Sequence, residues 1–158
     1  MTGNPRVIQG DSAAKGVRVA IVAARFNGFV VDKLVSAALE TVRAHGIREE
    51  NLTLVRVPGA FEIPLAVKKL AVGGQHDVVI ALGAIIRGET PHFDYVAGEC
   101  ARGLMQVMLD TGVPVGFGVL TCDTVEQAMA RAGGAAGNKG ADAALAALEM
   151  ANLLRKMD

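Results

Sequence analysis

The chain has 158 residues, of which 51% are apolar, and its 16 basic and 16 acidic side chains balance to a formal charge of zero. This length fits one domain with a buried core and is short for two. A neutral chain lacks the positive field that holds nucleic acid, so nucleic-acid binding is not expected. Its low net charge leaves little repulsion between copies and tolerates self-association.

The cysteines and the first residues bear on the cellular compartment. Cys100 and Cys122 form no metal-ligand spacing with the histidines and are too few for a disulfide framework. Residues 1–16 lack the apolar segment of a signal peptide, and no apolar run is long enough to cross a bilayer without charges. We therefore expect a reduced cytoplasmic protein that is neither secreted nor inserted into a membrane.

Short apolar runs alternate along the chain with longer segments of helical spacing. The predicted strands are residues 17–23, 52–57, 78–82 and 115–120. After the last strand, helices are predicted at 124–132 and about 139–156, joined by the stretch AGGAAGNKG. Because the strands are apolar throughout, both faces of the sheet are expected to be covered. The prediction is one α/β domain over residues 1–158, with a parallel sheet between helical layers.

Four loops at one edge of this sheet form the candidate site, because ligands of open parallel sheets bind beyond the carboxyl ends of the strands. In chain order the loops read ARFNG, VPGAFEIP, GAIIRGETPHFDY and LTCDT. They concentrate the following unusual residues: Phe26, Phe61, Glu62, Gly88, Glu89, Thr90 and His92.

The third loop is suited to an anion. Thr90 is a good N-cap and Pro91 suits the first helical position, so free amides and a positive dipole would face Gly88. A phosphate would fit there, although a plain helix start explains the same residues. His92 falls in the first helical turn, where the dipole disfavours the imidazolium and leaves a ring that can accept a proton. A surface position is the alternative for His92, and the spacing does not decide whether Asp94 and Tyr95 orient it.

Phe26 and Glu62 each allow two interpretations. Phe26 lies in a loop, where its ring could stack on a planar ligand or fold back onto the core. Glu62 precedes a helix, where the dipole favours a carboxylate in any case, and it could also accept hydrogen bonds from substrate hydroxyls.

Three residues do not belong to this edge. Arg131 is carried about 10 Å away from it by the helix after the fourth strand. Lys139 begins the last helix, where a cation is unfavourable, and Phe117 lies early in the fourth strand. If all three serve a site, it is most simply that of a neighbouring subunit. Ordinary surface charge is the alternative for the two cations.

Several long segments match a known family in order from about residue 17 to residue 154. ARFN, VPGAFEIP, GAIIRGETPHFDYV, FGVLTCDTVEQAMARAG and GNKGADAALAALEMANL together resemble the lumazine synthases of riboflavin biosynthesis. The resemblance implies a flavodoxin-like, three-layer α/β subunit without cofactor or metal. It implies that 5-amino-6-ribitylamino-pyrimidinedione and 3,4-dihydroxy-2-butanone 4-phosphate condense to 6,7-dimethyl-8-ribityllumazine, phosphate and water in the penultimate step of that pathway.

The resemblance also assigns roles to residues of one subunit. Phe26 would stack on the pyrimidine ring, and His92 would transfer protons during imine formation and phosphate elimination. Ala60, Phe61 and Glu62 would hold the ribityl chain and the ring edge.

Further roles fall on the phosphate site and on the neighbouring subunit. Residues 88–90 would bind the phosphate with Arg131 of the neighbour, and Phe117 and Lys139 of the neighbour would reach the pyrimidine. Glu89 departs from the family pattern by adding a carboxylate beside the phosphate, which leaves only its amide useful there.

The family forms pentamers, and in some members twelve pentamers form a 60-subunit icosahedral shell. The short turn GGAAGNKG matches the shell-forming members, so the resemblance favours a shell. The segment PRVIQG could add a strand to the sheet of a neighbour, within the limits that Pro5 sets on pairing. A flavin-binding module and a catalytically inert shell subunit are the alternative functions.

Overall fold

A central parallel sheet organises the chain in the computed structural model, which describes residues 3–158 and so leaves Met1 and Thr2 of the predicted N-terminal segment outside the described residues. The four strands are β1 (Val19–Ala24), β2 (Leu52–Val57), β3 (Val78–Ile86) and β4 (Val115–Cys122). They pair in the order β2-β1-β3-β4, and all three pairings are parallel. The predicted four-stranded parallel sheet is confirmed.

Helices cover both faces of this sheet within the described part of the chain. They are α1 (Gly28–Ala44), α2 (Ile63–Val72), α3 (His92–Thr111), α4 (Val125–Ala130) and α5 (Lys139–Met157). Helices α1 and α5 pack on one face and α2 and α3 on the other. This arrangement gives the three-layer α/β fold that the sequence predicts.

The inner strands explain why the apolar runs are continuous. The odd-numbered residues of β1 face α1 and α5, the even-numbered ones face α2 and α3, and all six are buried. The largest fully buried side chains of the α1/α5 face include Leu34, Leu82 and Leu148. Burial of each such side chain stabilises the fold by about 2 kcal/mol.

Helix α5 approaches the sheet and α1 closely because small residues line the contact. A Cβ on Gly116 of β4 would collide with the carbonyl oxygen of Ala143, and a Cβ on Gly140 would collide with that of Leu34. Side chains at these positions would push α5 away from the core. The close packing of the α1/α5 face therefore depends on glycine at both positions.

The segment after β4 differs from the prediction. Helix α4 begins after Thr124, whose side chain forms a capping box with Gln127, but it ends at Ala130 rather than at residue 132. An antiparallel hairpin follows, with β5 (Ala132–Gly134) and β6 (Gly137–Asn138). The predicted end of the helix is wrong because glycines with left-handed backbone angles turn the chain here, at φ 104° and 81° for residues 133 and 137.

The N-terminal segment rests on the subunit's own α5. Residues 3–14 have no regular secondary structure. The side-chain amide of Asn152 donates to the carbonyl oxygens of Asp11 at 2.8 Å and Ala13 at 2.9 Å, and Lys156 Nζ donates to that of Gln9 at 2.9 Å. The added strand on a neighbour's sheet stays a prediction.

The helices bear on the question of membrane insertion. Among residues 3–158 no helix combines the length and the low polarity needed to span a bilayer.

Candidate active site

A cleft of about 720 Å³ opens at the carboxyl ends of β1, β2 and β3, between the loops that leave these strands. Side chains and backbone from three of the predicted site loops line it. The residues proposed from the sequence that line the cleft are Phe26, Ala60, Phe61, Glu62, Gly88, Thr90 and His92. Glu89 follows Gly88 in the same exposed loop but does not line the cleft.

The backbone of the first loop is fixed while the ring of Phe26 stays exposed. Arg25 N donates to Val57 O at 2.8 Å and Phe26 N donates to Pro58 O at 3.1 Å, which extends the β1–β2 pairing into the loops. The side chain of Phe26 is 71% exposed. Phe26 therefore does not fold onto the core, and its ring is available to stack on a ligand.

Asn27 anchors the same loop and was not predicted as a site residue. It has a left-handed backbone at φ 61°, a conformation that asparagine tolerates better than most residues. Its side-chain amide donates to the carbonyl oxygen of Ala84 at 2.8 Å, at the end of β3. The Asn-Gly pair that follows Phe26 is the sequence signal for this turn.

The second loop presents an aromatic ring and a carboxylate from one short turn. Residues Ala60–Glu62 form a single 3-10 turn directly before α2. Ala60 is buried, whereas Phe61 is 59% exposed and Glu62 is exposed. The carboxylate lies over the backbone of Gly59, where an added Cβ would lie 3.3 Å from Glu62 Oε1. The turn therefore leaves both side chains exposed at the cleft rather than buried in the core.

The third loop leaves backbone amides free beside a long helix. Within residues 3–158 the amides of residues 88–90 donate to no carbonyl or side chain. Helix α3 begins at His92, with Pro91 before it, one residue later than predicted. Thr90 Oγ1 still accepts a hydrogen bond from His92 N, at 3.4 Å. Free amides at the positive end of a 20-residue helix can bind an anion.

The floor of the cleft comes from residues that the sequence analysis did not assign to the site. Strand β3 continues to Ile86 rather than ending at residue 82, so Ala84, Ile85 and Ile86 reach the cleft. Phe93 and Val96 of α3 add apolar surface beside His92. The apolar run VVIALGAII, which continues past Gly83 to Ile86, was the available signal.

Phe117, Arg131 and Lys139 lie outside the cleft of their own subunit. Phe117 is half exposed on the edge strand β4, in an apolar groove that Met105 also lines. Lys139 N donates to Arg131 O at 2.9 Å across the base of the hairpin, so that the two cationic residues are neighbours. This adjacency was not foreseen, because it depends on the hairpin.

The cysteines do not take part in this site as nucleophiles. Burial raises the pKa of the Cys100 thiol to about 11. Burial also raises the pKa of Cys122, although the positive charge of Arg131 opposes that rise. Both thiols are buried and protonated near neutral pH. Among the residues that the structure describes, no three His, Cys, Asp or Glu side chains cluster in a metal-binding arrangement.

Comparison with known proteins places the chain in one family. The family model for 6,7-dimethyl-8-ribityllumazine synthase matches residues 16–155. The chain is 55% identical over 152 residues to the 6,7-dimethyl-8-ribityllumazine synthases of two strains of Nitratidesulfovibrio vulgaris, which covers 96% of this chain and 97% of each relative. It is 54% identical to that of Desulfovibrio desulfuricans over the same shares. The chain therefore belongs to the 6,7-dimethyl-8-ribityllumazine synthase family, whose members are transferases of riboflavin biosynthesis.

Proposed function

We propose that this enzyme condenses 5-amino-6-ribitylamino-pyrimidinedione with 3,4-dihydroxy-2-butanone 4-phosphate. The products are 6,7-dimethyl-8-ribityllumazine, phosphate and water, in the penultimate step of riboflavin biosynthesis. One observation carries the proposal: exposed aromatic rings, a carboxylate, free amides at a helix start and an imidazole share one cleft. The aromatic rings suit a planar heterocycle, and the carboxylate suits a polyhydroxyl chain. The free amides suit a phosphate, and the imidazole suits proton transfer.

The pyrimidine substrate occupies the part of the cleft next to the first two loops. The exposed ring of Phe26 stacks on the planar heterocycle. The backbone of Ala60 and Phe61 holds the ring edge, while the Glu62 carboxylate accepts hydrogen bonds from the ribityl hydroxyls. This binding mode uses polar groups for orientation and aromatic surface for affinity.

The phosphate of the second substrate binds at the start of α3. The unpaired amides of residues 88–90 and the Thr90 hydroxyl donate hydrogen bonds to its oxygens. The exposed position of Glu89 outside the cleft supports a role for its amide alone. A phosphate held here brings the ketone carbonyl of the same molecule near the imidazole of His92.

His92 moves protons while the cleft holds the two reactants in register. The 5-amino group of the pyrimidine attacks the ketone, and water leaves to form the imine. Phosphate is then eliminated, and the ribitylamino nitrogen attacks the remaining carbonyl and closes the second ring with loss of a second water. His92 relays protons in these steps. Positioning of the two substrates removes much of the entropic barrier, and a general acid–base group adds roughly a 10²- to 10⁴-fold acceleration.

A neighbouring subunit completes the site. Phe117 and Lys139 of that subunit contact the pyrimidine and its Arg131 pairs with the phosphate. Their exclusion from the cleft of their own subunit and the half-exposed ring of Phe117 support this arrangement. The functional unit is then a ring of five subunits in the cytoplasm. The short hairpin turn of residues 134–137 favours the assembly of twelve rings into a 60-subunit shell.

Turnover of the two substrates tests the activity. Purified protein is incubated with both, and the fluorescence of the lumazine is followed with time. Formation of product supports the proposal. A protein that assembles but forms no lumazine is an inert shell subunit. A protein that forms no lumazine and retains bound flavin is a flavin-binding module.

Mixed assemblies test the shared site. His92→Ala and Arg131→Ala subunits are unfolded together and reassembled, and the rate is measured at limiting butanone phosphate. Hybrid rings contain some sites with both native residues, so the mixture should be faster than the mean of the two parents. A rate equal to that mean would show that His92 and Arg131 serve the same subunit's site.

A further inference from the structure

Arg87 links the end of β3, the loop after β4 and the start of α3, around the segment of residues 88–92. Its backbone N donates to Cys122 O at 2.9 Å, beside the end of β4. Its side chain donates from Nε to Asp123 Oδ1 at 2.8 Å and from Nη1 to Asp94 Oδ1 at 3.3 Å. The guanidinium carbon lies 4.3 Å from the centroid of the Phe93 ring. One side chain thus contacts the loop after β4 and the first turn of α3.

The groups that need positioning have few anchors of their own. His92 is exposed, and its backbone amide has only the 3.4 Å bond to Thr90 Oγ1. Gly88 has nothing within 4 Å of the place where a Cβ would be. Arg87 and its partners Phe93 and Asp94 therefore flank residues 88–92, a segment in which the amides of residues 88–90 make no hydrogen bond and Pro91 is held through its carbonyl by the first turn of α3.

Arginine suits this task because its rigid fork can bond two carboxylates while its flat face packs on a ring. The hydrogen bond to Asp123 and the charges of Asp94 and Asp123 raise the pKa of Arg87 against the effect of burial, so it remains a cation. Phe93, beneath the guanidinium, is buried and lines the cleft, whereas Arg87 does not line it.

We propose that Arg87 is a positioning residue, which holds the first turn of α3 against the loop after β4 and so sets where His92 and the free amides of residues 88–90 face the cleft. It acts through Phe93 and Asp94 and touches neither substrate. The kinetic part of this inference rests on the proposed function, since it assumes that these groups serve phosphate binding and proton transfer.

A purely structural role would give a different result. Ion pairs as exposed as these contribute little stability, typically about 0 to 1 kcal/mol. The Arg87 side chain is 45% exposed and its two partners are each 64% exposed. Loss of Arg87 should therefore leave the fold intact, and the kinetic constants decide between the two roles.

The experiment compares Arg87→Met, which keeps the apolar stem, with Arg87→Lys and with a matched control. Arg18 is also 45% exposed, and its Nη2 lies 3.1 Å from Asp77 Oδ1. Arg18 lies directly before β1, at the amino ends of the strands, whereas the cleft lies at their carboxyl ends. Arg18→Met therefore removes a comparable ion pair without touching residues 88–94.

We expect Arg87→Met to lower kcat about tenfold and to raise KM for the butanone phosphate, because a small misplacement of catalytic groups is costly. KM for the pyrimidine should not change, since other loops bind it. The lysine side chain in Arg87→Lys can bond only one carboxylate, so the kcat of this variant should lie between those of Arg87→Met and the unaltered protein. Arg18→Met should change none of these constants. The proposal fails if Arg87→Met behaves like Arg18→Met, or if both KM values rise together.

Amide hydrogen exchange provides a readout that needs no substrate. The amides of Asp94 and Tyr95 donate to Pro91 O at 2.9 Å and 3.4 Å, and their residue-resolved exchange should be about tenfold faster in Arg87→Met than in the unaltered protein or in Arg18→Met. Unchanged exchange there overturns the proposal whatever the kinetics show. If the unaltered protein forms no lumazine, the proposed function fails and exchange alone decides the role of Arg87.

Discussion

The two faces of the sheet differ in how closely their helices pack and in how much apolar surface stays exposed near them. On the α1/α5 face, α5 packs so closely on the sheet and on α1 that a Cβ at Gly116 or Gly140 would collide with a backbone carbonyl. On the α2/α3 face, large apolar side chains remain exposed around the cleft and along α3. They include Phe26, Phe61, Leu65, Tyr95, Met105, Leu109 and Phe117.

This difference separates stability from function within one small domain. The α1/α5 face buries the larger core cluster of the subunit, although Phe29 of α1 and Met150 and Met157 of α5 stay exposed. The α2/α3 face keeps apolar surface that a substrate can cover in the cleft and that another copy can cover beyond it. Substitutions should therefore affect folding on the first face and activity on the second.

Removal of the imidazole should give the largest effect and should leave folding unchanged. In His92→Ala, kcat falls about 100-fold, because a general acid–base group is lost while the positioning of both substrates remains. Steady-state kinetics with both substrates measure the change. His76→Ala, in the turn before β3 at the far edge of the sheet, is the control. Complete loss of activity in a folded, assembled His92→Ala protein would contradict the view that positioning dominates.

The close packing of the opposite face is tested at Gly140. The added methyl group of Gly140→Ala meets the Leu34 carbonyl, and overpacking of this kind costs about 2 kcal/mol of unfolding free energy. Urea denaturation measures that loss. An unfolding free energy equal to that of the unaltered protein would mean that α5 can move away from α1 without cost.

A smaller effect on substrate binding is expected at the edge strand. Phe117→Ala should raise KM for the pyrimidine several-fold, since an aromatic contact contributes about 1 kcal/mol. The free energy of unfolding of the subunit should change little, because the ring is half exposed. If instead the subunit loses stability while KM is constant, Phe117 belongs to its own core and not to a neighbour's site.

The smallest expected effect is a change in unfolding free energy at a glycine on the face of the sheet opposite Gly140. Gly98 lies in α3, and a Cβ added there meets nothing within 4 Å. Gly98→Ala should therefore raise the unfolding free energy by about 0.5 to 1 kcal/mol, the usual gain from replacing glycine inside a helix. Urea denaturation of the two variants in parallel should show a higher unfolding free energy for Gly98→Ala and a lower one for Gly140→Ala. A loss at Gly98 would show that a second copy packs on this part of α3.

The sheet and its carboxyl-edge cleft were predictable from the sequence because they follow from local patterns. Continuous apolar runs indicated covered strands, and the rule for parallel sheets brought four distant loops to one edge, of which the first three line the cleft and LTCDT does not. Strand β3 was predicted too short, because the apolar run assigned to it ended at Leu82. In the structure Gly83 lies within the strand and in tight packing, since a Cβ there would lie 3.2 Å from Ile63 Cδ1 and would require a small shift of that side chain.

What escaped prediction depends on contacts between distant residues. The side chain of Asn27 bonds a carbonyl 57 positions away, and that of Arg87 bonds a carboxylate 36 positions away. Neither partner can be inferred from spacing. Strands β5 and β6 have only three and two residues, too few for any periodicity, so the hairpin and the adjacency of Arg131 and Lys139 could not be foreseen.

The hairpin between α4 and α5 has a consequence for how the chain tolerates a change of length. The bond from Lys139 N to Arg131 O closes its base, so the separation of the two cations does not depend on the number of residues at the tip. Ala135 and Ala136 at the tip are exposed. Extra residues inserted between Ala135 and Ala136 would enlarge a surface turn while the backbones of Arg131 and Lys139 kept their spacing, so the subunit fold should tolerate a longer chain here, by natural variation or by a fused peptide.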